Sequence, residues 1–336
     1  MCYKKASRNQ EPGLRRPPAL DVRGFGNVRR MFGVLTGKCY PQTIMGKRIF
    51  LFLATNLAII LTLSVIVSLL GVGNVAGTGG LDLGGLAVLC LIWGMGGAFI
   101  SLLISRWIAK RSLGVKLVDG RTGNSQFDWL HQTVGRLTRQ ANLPMPEVGI
   151  YESPEVNAFA TGPSKSRSLV AVSSGLMRGM RPEEIEGVLA HEVTHIANGD
   201  MVTMTLLQGV MNAFVMFFAR VIAFALTRSG DERRGGGSYF LVVMVLQIVL
   251  GILGSMVTAW FSRQREFRAD AGGAHLAGRE RMVGALRRLA ANHELVDTQH
   301  QALATMKING VRGWAVLFST HPPLEQRIAA LENAGR

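Results

Sequence analysis

Four apolar runs, at residues 49–70, 86–105, 201–226 and 239–261, each approach or exceed the roughly 20 residues that carry a helix across a bilayer core. In hydrocarbon every backbone amide must find its partner within the segment, so runs of this length predict membrane helices and exclude a purely water-soluble domain. Removing them and the N-terminal tail from the 336-residue chain leaves about 170 to 180 residues, enough for one compact domain of ordinary size. The expected class is therefore α+β and mostly helical: an integral membrane protein whose transmembrane helices carry one small soluble domain.

The net charge of +15 suggests nucleic acid at first sight. The basic residues, however, flank the apolar runs, as in Lys47-Arg48 before the first and Arg106, Lys110 and Arg111 after the second. That is the positive-inside pattern, so they are read as setting orientation, with the bilayer as partner and no nucleic acid. The connection GVGNVAGTGGLDLG between the first two runs has no Lys or Arg. Residues 1–44 and everything after residue 105 are thus expected on the cytoplasmic side. Cys2, Cys39 and Cys90 make no disulfide framework.

Composition divides the chain into a basic, proline-containing extension over 1–44, expected to be disordered, and a two-helix membrane hairpin over 45–105. A mixed soluble segment over 106–200, a second hydrophobic hairpin over 201–261 and a second soluble segment over 262–336 follow. The extension lacks the features of a signal peptide, and Met45 would make a sensible start of its own. Phe127, Leu130, Val134 and Leu137 recur at helical spacing, PEVGIYES, NAFATG and SRSLVAVSS read as strands, and Arg181-Pro182 opens a helix. EFRADAGGAHLAGRERMVGALRRLAANH reads as one long helix and PPLEQRIAALEN as a shorter one. The loop TRSGDERRGGGS is mildly basic, so the second hairpin either crosses the membrane or dips into it. Gln208 and Asn212 share a face of the third run. Arg220 either meets protein or water there or snorkels to the far interface.

The helix opened by Pro182 carries His191-Glu-Val-Thr-His195. Residues i and i+4 of a helix share a face with Cβ atoms roughly 5–6 Å apart, so two imidazoles can converge on one ion. Zinc accepts such ligands tetrahedrally and leaves a position for water, beside which Glu192 could take a proton. Two histidines capping a helix core would give the same spelling. A third ligand is available in Glu266 or Asp270, one turn apart: one carboxylate can complete the site while the other orients a histidine from behind. An exposed, arginine-rich helix start is the competing reading of this pair. Two antiparallel runs between His195 and Glu266 would bring both ends to the same side, roughly 10 Å from the membrane boundary. NAFATG offers Asn157, Ala158 and Phe159 as a strand edge for an extended substrate. His131, His275, His293 and His300 lack partner motifs and read as surface residues.

Taken together, LFLATNLA from residue 51, NAFATG from 157, HEVTHIANGDMVTMTL from 191, WFSRQREFRADAG from 260 and THPPLEQRI from 320 resemble the HtpX family of membrane-bound zinc metalloproteases. The resemblance runs from about Met45 to Leu331 and leaves out residues 1–44. It implies a zincin-like fold with a small sheet, one Zn2+ per chain, a multi-pass protein of the bacterial inner membrane, and an active site facing the cytoplasm. It further implies an endopeptidase acting in stress response and quality control on membrane proteins with unfolded segments. By the same resemblance His191, His195 and Glu266 bind zinc and Glu192 is the catalytic base. Asp270 stands behind the ligands, His321 stabilises the transition state, and Arg327 reads as structural. A non-cleaving membrane scaffold or holdase is the principal rival, and a transporter using the polar face of the third run is another.

Overall fold

A computed structural model describes residues 76–77, 80–227, 237–299 and 317–334, all within one compact unit of the chain. The extension over 1–44, the first apolar run and the loop between the last two runs lie outside the described residues. A two-residue ladder, β1 (Ala76–Gly77) with β2 (Gly80–Leu81), precedes α1 (Leu83–Leu113), which Asp82 caps by accepting from the Gly84 amide. The soluble elements then run β3 (Lys116–Val118), α2 (Ser125–Gln140), β4 (Glu147–Tyr151), β5 (Ala158–Ser164), β6 (Arg167–Ser173), α3 (Ser174–Gly179) and α4 (Pro182–Asn198). After these come α5 (Asp200–Thr227), α6 (Gly237–Ala277), α7 (Arg279–Gln299) and α8 (Leu324–Asn333).

Three described helices, α1, α5 and α6, are long and apolar enough to cross a membrane. They contain the second, third and fourth apolar runs. Their outward surfaces carry exposed apolar side chains such as Phe214, Leu241, Ile248 and Leu253. In water such a surface would be a liability; in lipid it is the solvent-matched face.

The sheet has strand order β3-β4-β6-β5, with β4 and β6 parallel and the other pairs antiparallel. Strand β6 is central and buried almost throughout, which its SLVAVS run of small and β-branched residues suits. Strand β5 lies at an edge. Behind the sheet, α2 is capped by Asn124 and buries Leu130, Val134 and Leu137 completely. These three join Val170, Val172, Leu176, Leu189, Val193 and Ile196 in one core, so α4 is the central helix of the soluble part rather than a surface one.

Helix α4 starts where expected. Pro182 occupies its first turn, and the Glu184 carboxylate accepts the Arg181 amide at 2.8 Å. It stops at Gly199, whose φ of 69° is a left-handed conformation that glycine adopts without a Cβ penalty. Two differences from the sequence reading stand out. The fourth apolar run and the segment bearing Glu266 and Asp270 form one 41-residue helix, α6, with no break at the membrane boundary. The stretch 256–271 contains neither Gly nor Pro, so nothing in it interrupts the hydrogen-bond ladder. Conversely, the segment read as one long helix from Glu266 is broken at Gly278, which has φ 94° and separates α6 from α7.

Candidate metal centre

His191 and His195 stand one turn apart on α4, and Glu266 reaches them from α6. The histidine Nε2 atoms are 3.0 Å apart. His191 Nε2 lies 3.4 Å from Glu266 Oε2, and His195 Nε2 lies 3.4 Å from Glu266 Oε1. All three residues are buried, and Glu266 is 1% exposed.

Each imidazole is held from behind. His191 Nδ1 is 2.9 Å from Asp270 Oδ1, and His195 Nδ1 is 2.7 Å from Asp200 Oδ2. A carboxylate accepts only, so both Nδ1 atoms must donate and each neutral ring turns an Nε2 lone pair inward. With both rings neutral, two lone pairs and a carboxylate face one another at 3.0–3.4 Å, an arrangement that repels unless a proton or a metal cation lies between them. The spacing suits zinc: nitrogen ligands at about 2.05 Å in a tetrahedron stand about 3.3 Å apart. Glu266 Oε2 is moreover a buried acceptor that receives no well-aimed hydrogen bond, although His321 Nδ1 lies 3.0 Å from it. The donor set present therefore fits a zinc ion.

The electrostatics agree. Burial alone would depress the pKa of His191, but the Asp270 and Glu266 carboxylates outweigh it and raise it to about 9. His195 is likewise penalised by burial and raised overall by Asp200 and Glu266. Glu266 is held far below the ordinary carboxylate range, the pull of the histidines exceeding the cost of burial. The pocket thus attracts positive charge and keeps its carboxylate ionised.

Arg327, from α8, is 6% exposed and clamps Asp270 with two bonds, Nε to Oδ2 at 2.7 Å and Nη2 to Oδ1 at 2.6 Å. Its Nη1 is also 3.6 Å from Glu266 Oε2. Arg265 donates to Glu266 Oε1 at 2.8 Å. Neither arginine was singled out by the sequence for this centre, and neither was Asp200. Asp200 had a signal, an acid directly after the helix-stopping Asn-Gly, but such acids commonly serve only the following helix.

A cavity of about 530 Å³ opens on the centre, lined by His191, Glu192, Glu266, His321 and Arg327 together with Ala158 of the edge strand and Asn157 just before it. Glu192 thus faces the same space as the ligands. His321 precedes α8 and leaves most of its side chain exposed. The Phe159 side chain points the other way and packs on Tyr151, ring centroids 5.7 Å apart, as alternation along a strand requires. Asn157 pairs inward, its carbonyl accepting from the Ser173 amide. By alternation the Ala158 amide and carbonyl are directed to the free edge.

Residues 124–334 match the model of peptidase family M48. The chain belongs to peptidase family M48. Within M48 it is similar to Protease HtpX of Idiomarina loihiensis, 53% identical over 291 residues that cover 85% of this chain and 99% of that one. Protease HtpX of Aeromonas salmonicida is 52% identical over 292 residues, with the same coverage. Among solved structures, the crystal structure of S. mikatae Ste24p superposes with a TM-score of 0.57 at 18% identity, covering 85% of this chain and 66% of that one. At that identity the likeness is one of fold, over 85% of this chain. The chain is a membrane metalloprotease of the HtpX type, with a metal-binding His-His-Glu cluster.

Proposed function

We propose that this protein is a zinc endopeptidase of the bacterial inner membrane that cleaves unfolded segments of damaged membrane proteins on the cytoplasmic side. The observation that carries the reading is the convergence of His191, His195 and Glu266 beside Glu192 in one cavity, at the foot of two membrane helices. When bound there, zinc supplies Lewis acidity, acidifying water and polarising a peptide carbonyl.

The chain's own residues supply the rest. Glu192 accepts a proton from the attacking water and delivers it to the departing amine, which needs a carboxylate in the cavity. Asp270 and Asp200 hold the two imidazoles in the tautomer that presents Nε2, and Arg327 holds Asp270. His321, at the cavity mouth, donates to the oxygen that gains negative charge as the carbonyl becomes tetrahedral. Asn157, Ala158 and Phe159 offer strand β5 as a template. An unfolded peptide adds to its free edge, with the outward backbone of Ala158 as the pairing point. Folded segments cannot adopt that extended form, which restricts cleavage to unfolded loops and ends.

The cytoplasmic orientation rests on charge. Arg106, Lys110 and Arg111 lie at the end of α1 that adjoins the metal-bearing domain, whereas the connection before α1 has no Lys or Arg. A membrane-embedded substrate presented on that side would meet the cavity without leaving the bilayer.

The test uses the full chain in detergent with an unfolded casein-like substrate and, separately, a membrane protein with an unfolded tail. Glu192→Gln is expected to keep one zinc per chain and lose cleavage by about 10²- to 10⁴-fold. Cleavage at the wild-type rate would overturn the assigned role. Capture of substrate by the wild type with no chelator-sensitive cleavage would replace the protease reading with that of a holdase.

A further inference from the structure

Gln208 and Asn212 on α5 are both exposed and bonded to each other, Gln208 Nε2 donating to Asn212 Oδ1 at 2.8 Å. Their depth follows from helix geometry. At about 1.5 Å per residue, Asn212 is roughly 18 Å along α5 from Asp200 at the metal-site end. The helix α1 gives an independent ruler. A Cβ on Gly94 would fall 2.6 Å from the Ala213 amide nitrogen and 2.8 Å from the Gly209 carbonyl oxygen, so the two helices touch backbone to backbone there. Gly94 lies roughly 16 Å along its helix from Leu83 and roughly 18 Å from Arg106, midway between the ends of the apolar run. The amide pair therefore sits near the middle of the bilayer.

One bond between them leaves the Asn212 amino group and the Gln208 carbonyl with unused capacity. In hydrocarbon such groups are costly unless another polar group meets them. Their placement around α5 shows where that group must come from. Gly209 and Ala213 face α1, and Met211 and Val215 face α6, where they approach Gly254. On a helix of 3.6 residues per turn, Gln208 and Asn212 lie between these two contact lines. Further along the same face, Ala219 and Ala223 are completely buried. Among the described residues the face is thus covered at the end far from the metal, exposed at Gln208 and Asn212, and half-buried at Met201, Met204 and Thr205 toward the metal site. Helix α5 runs from this face directly into Gly199 and His195.

We propose that Gln208 and Asn212 form the floor of an intramembrane cleft between α1 and α6 that binds a transmembrane segment of the substrate carrying a polar residue near its middle. The chemistry selects for such a segment: Asn, Gln, Ser or Thr satisfies the amide pair, whereas a wholly aliphatic helix strands it. A polar residue left without its partner in mid-membrane is also what distinguishes an orphaned or misassembled membrane helix from an assembled one. The inference rests on the proposed activity toward membrane proteins, with the cleft doing the recognition and the metal centre the cutting.

The experiment measures capture rather than cleavage, so that failure of the proteolytic reading is seen separately. Full-length Glu192→Gln protein in nanodiscs is titrated with two fluorescent 23-residue transmembrane peptides, poly-Leu-Ala with and without a central Asn, read by energy transfer. Tighter binding of the Asn peptide is expected, by about three- to tenfold, the scale of an interhelical hydrogen bond in lipid. The double substitution Gln208→Leu with Asn212→Leu should abolish that preference while leaving the zinc content unchanged. In the wild-type background it should also leave cleavage of a soluble unfolded polypeptide unchanged. Equal binding of both peptides, or a preference that survives the substitution, overturns the proposal. So does loss of self-association by the variant, which would assign the cleft to a second copy. A lowered melting temperature with peptide preference intact would assign it to the chain's own remaining apolar run, and overturns it equally.

Discussion

Replacing Arg327 by Met keeps the volume of the side chain and removes its charge, which isolates what the clamp on Asp270 does. Asp270 is 1% exposed and has two short bonds to this guanidinium, at 2.6 and 2.7 Å, alongside its bond to His191. Breaking a buried ion pair by removing one partner costs about 3–5 kcal/mol, because the remaining charge is stranded. Some of that cost is recovered in the metal-free protein, where His191 holds a proton and faces the same carboxylate. With metal bound, His191 is neutral and the relief vanishes. The loss should therefore fall mainly on metal affinity, by about 10- to 100-fold, with a drop of roughly 10 °C in melting temperature in the zinc-loaded form. Competition with a chromophoric chelator at pH 7 measures the first, and differential scanning fluorimetry with and without chelator the second. Asp270→Asn with Arg327→Met should be less damaging than the two single losses added together, since the pair is removed as a unit. Wild-type zinc affinity in Arg327→Met, or strict additivity in the double variant, would refute the clamp.

Glu266→Ala should leave a chain that folds but holds no stoichiometric zinc after dialysis. Elemental analysis decides it, and full metal content would remove Glu266 from the centre. For pH, the folded-state pKa of His191 is about 9 against an ordinary value of 6.5. Its contribution to the metal-free fold is thus fully present below 6.5 and lost as pH rises through 9. Chelator-treated protein should accordingly melt at falling temperature across that window. Apparent zinc affinity should climb about tenfold per pH unit as the competing proton leaves. A flat affinity between pH 6.5 and 8.5 would contradict the assignment. Gly187→Ala sets two opposing effects against each other. Helix propensity favours Ala by about 1 kcal/mol, but the new Cβ would lie 2.5 Å from the backbone carbonyl oxygen of Arg281, which cannot swing aside. Overpacking of about 1–3 kcal/mol should win, whereas Gly284→Ala, with nothing within 4 Å, should raise the melting temperature. A stabilised Gly187→Ala would refute the tight contact between α4 and α7.

What could be read from the residues alone depended on how local the cause was. The His191–His195 geometry is a property of one helix turn, and its start at Pro182 and stop at Gly199 follow from chemistry within a few residues. Glu266 is far away in sequence, and only the antiparallel return of two apolar runs makes it a neighbour. The competing reading, an exposed arginine-rich helix start, was locally sound: Arg263, Arg265 and Arg268 surround it. The structure decides otherwise because Arg265 turns back onto Glu266 and Arg263 reaches the carbonyls of Leu317 and Ser319. Arg327 could not be assigned to Asp270 by any periodicity, since α8 meets α6 only through tertiary packing. The break at Gly278 has no decisive local signature, because a lone glycine in a helical pattern can be tolerated or can end the helix.

The continuity of α6 changes how the centre relates to the membrane. Had the metal-binding segment been a separate helix, a flexible joint would have isolated it from motions of the bilayer. Instead Glu266 and Asp270 stand on the same hydrogen-bonded rod as the membrane-spanning residues. Helix α4, which carries His195, is separated from α5 by a single residue, Gly199, across which Asp200 reaches back to the ring at 2.7 Å. The two sides of the metal site are thus extensions of two antiparallel membrane helices, packed together through Gly254 against Met211 and Val215. A change in the crossing of α5 and α6 moves His195 relative to Glu266, and the tolerance is small. Ligand atoms 3.4 Å apart have little room before they leave zinc's coordination distance. Packing in the membrane and competence of the metal centre are therefore one geometric condition, met or lost together.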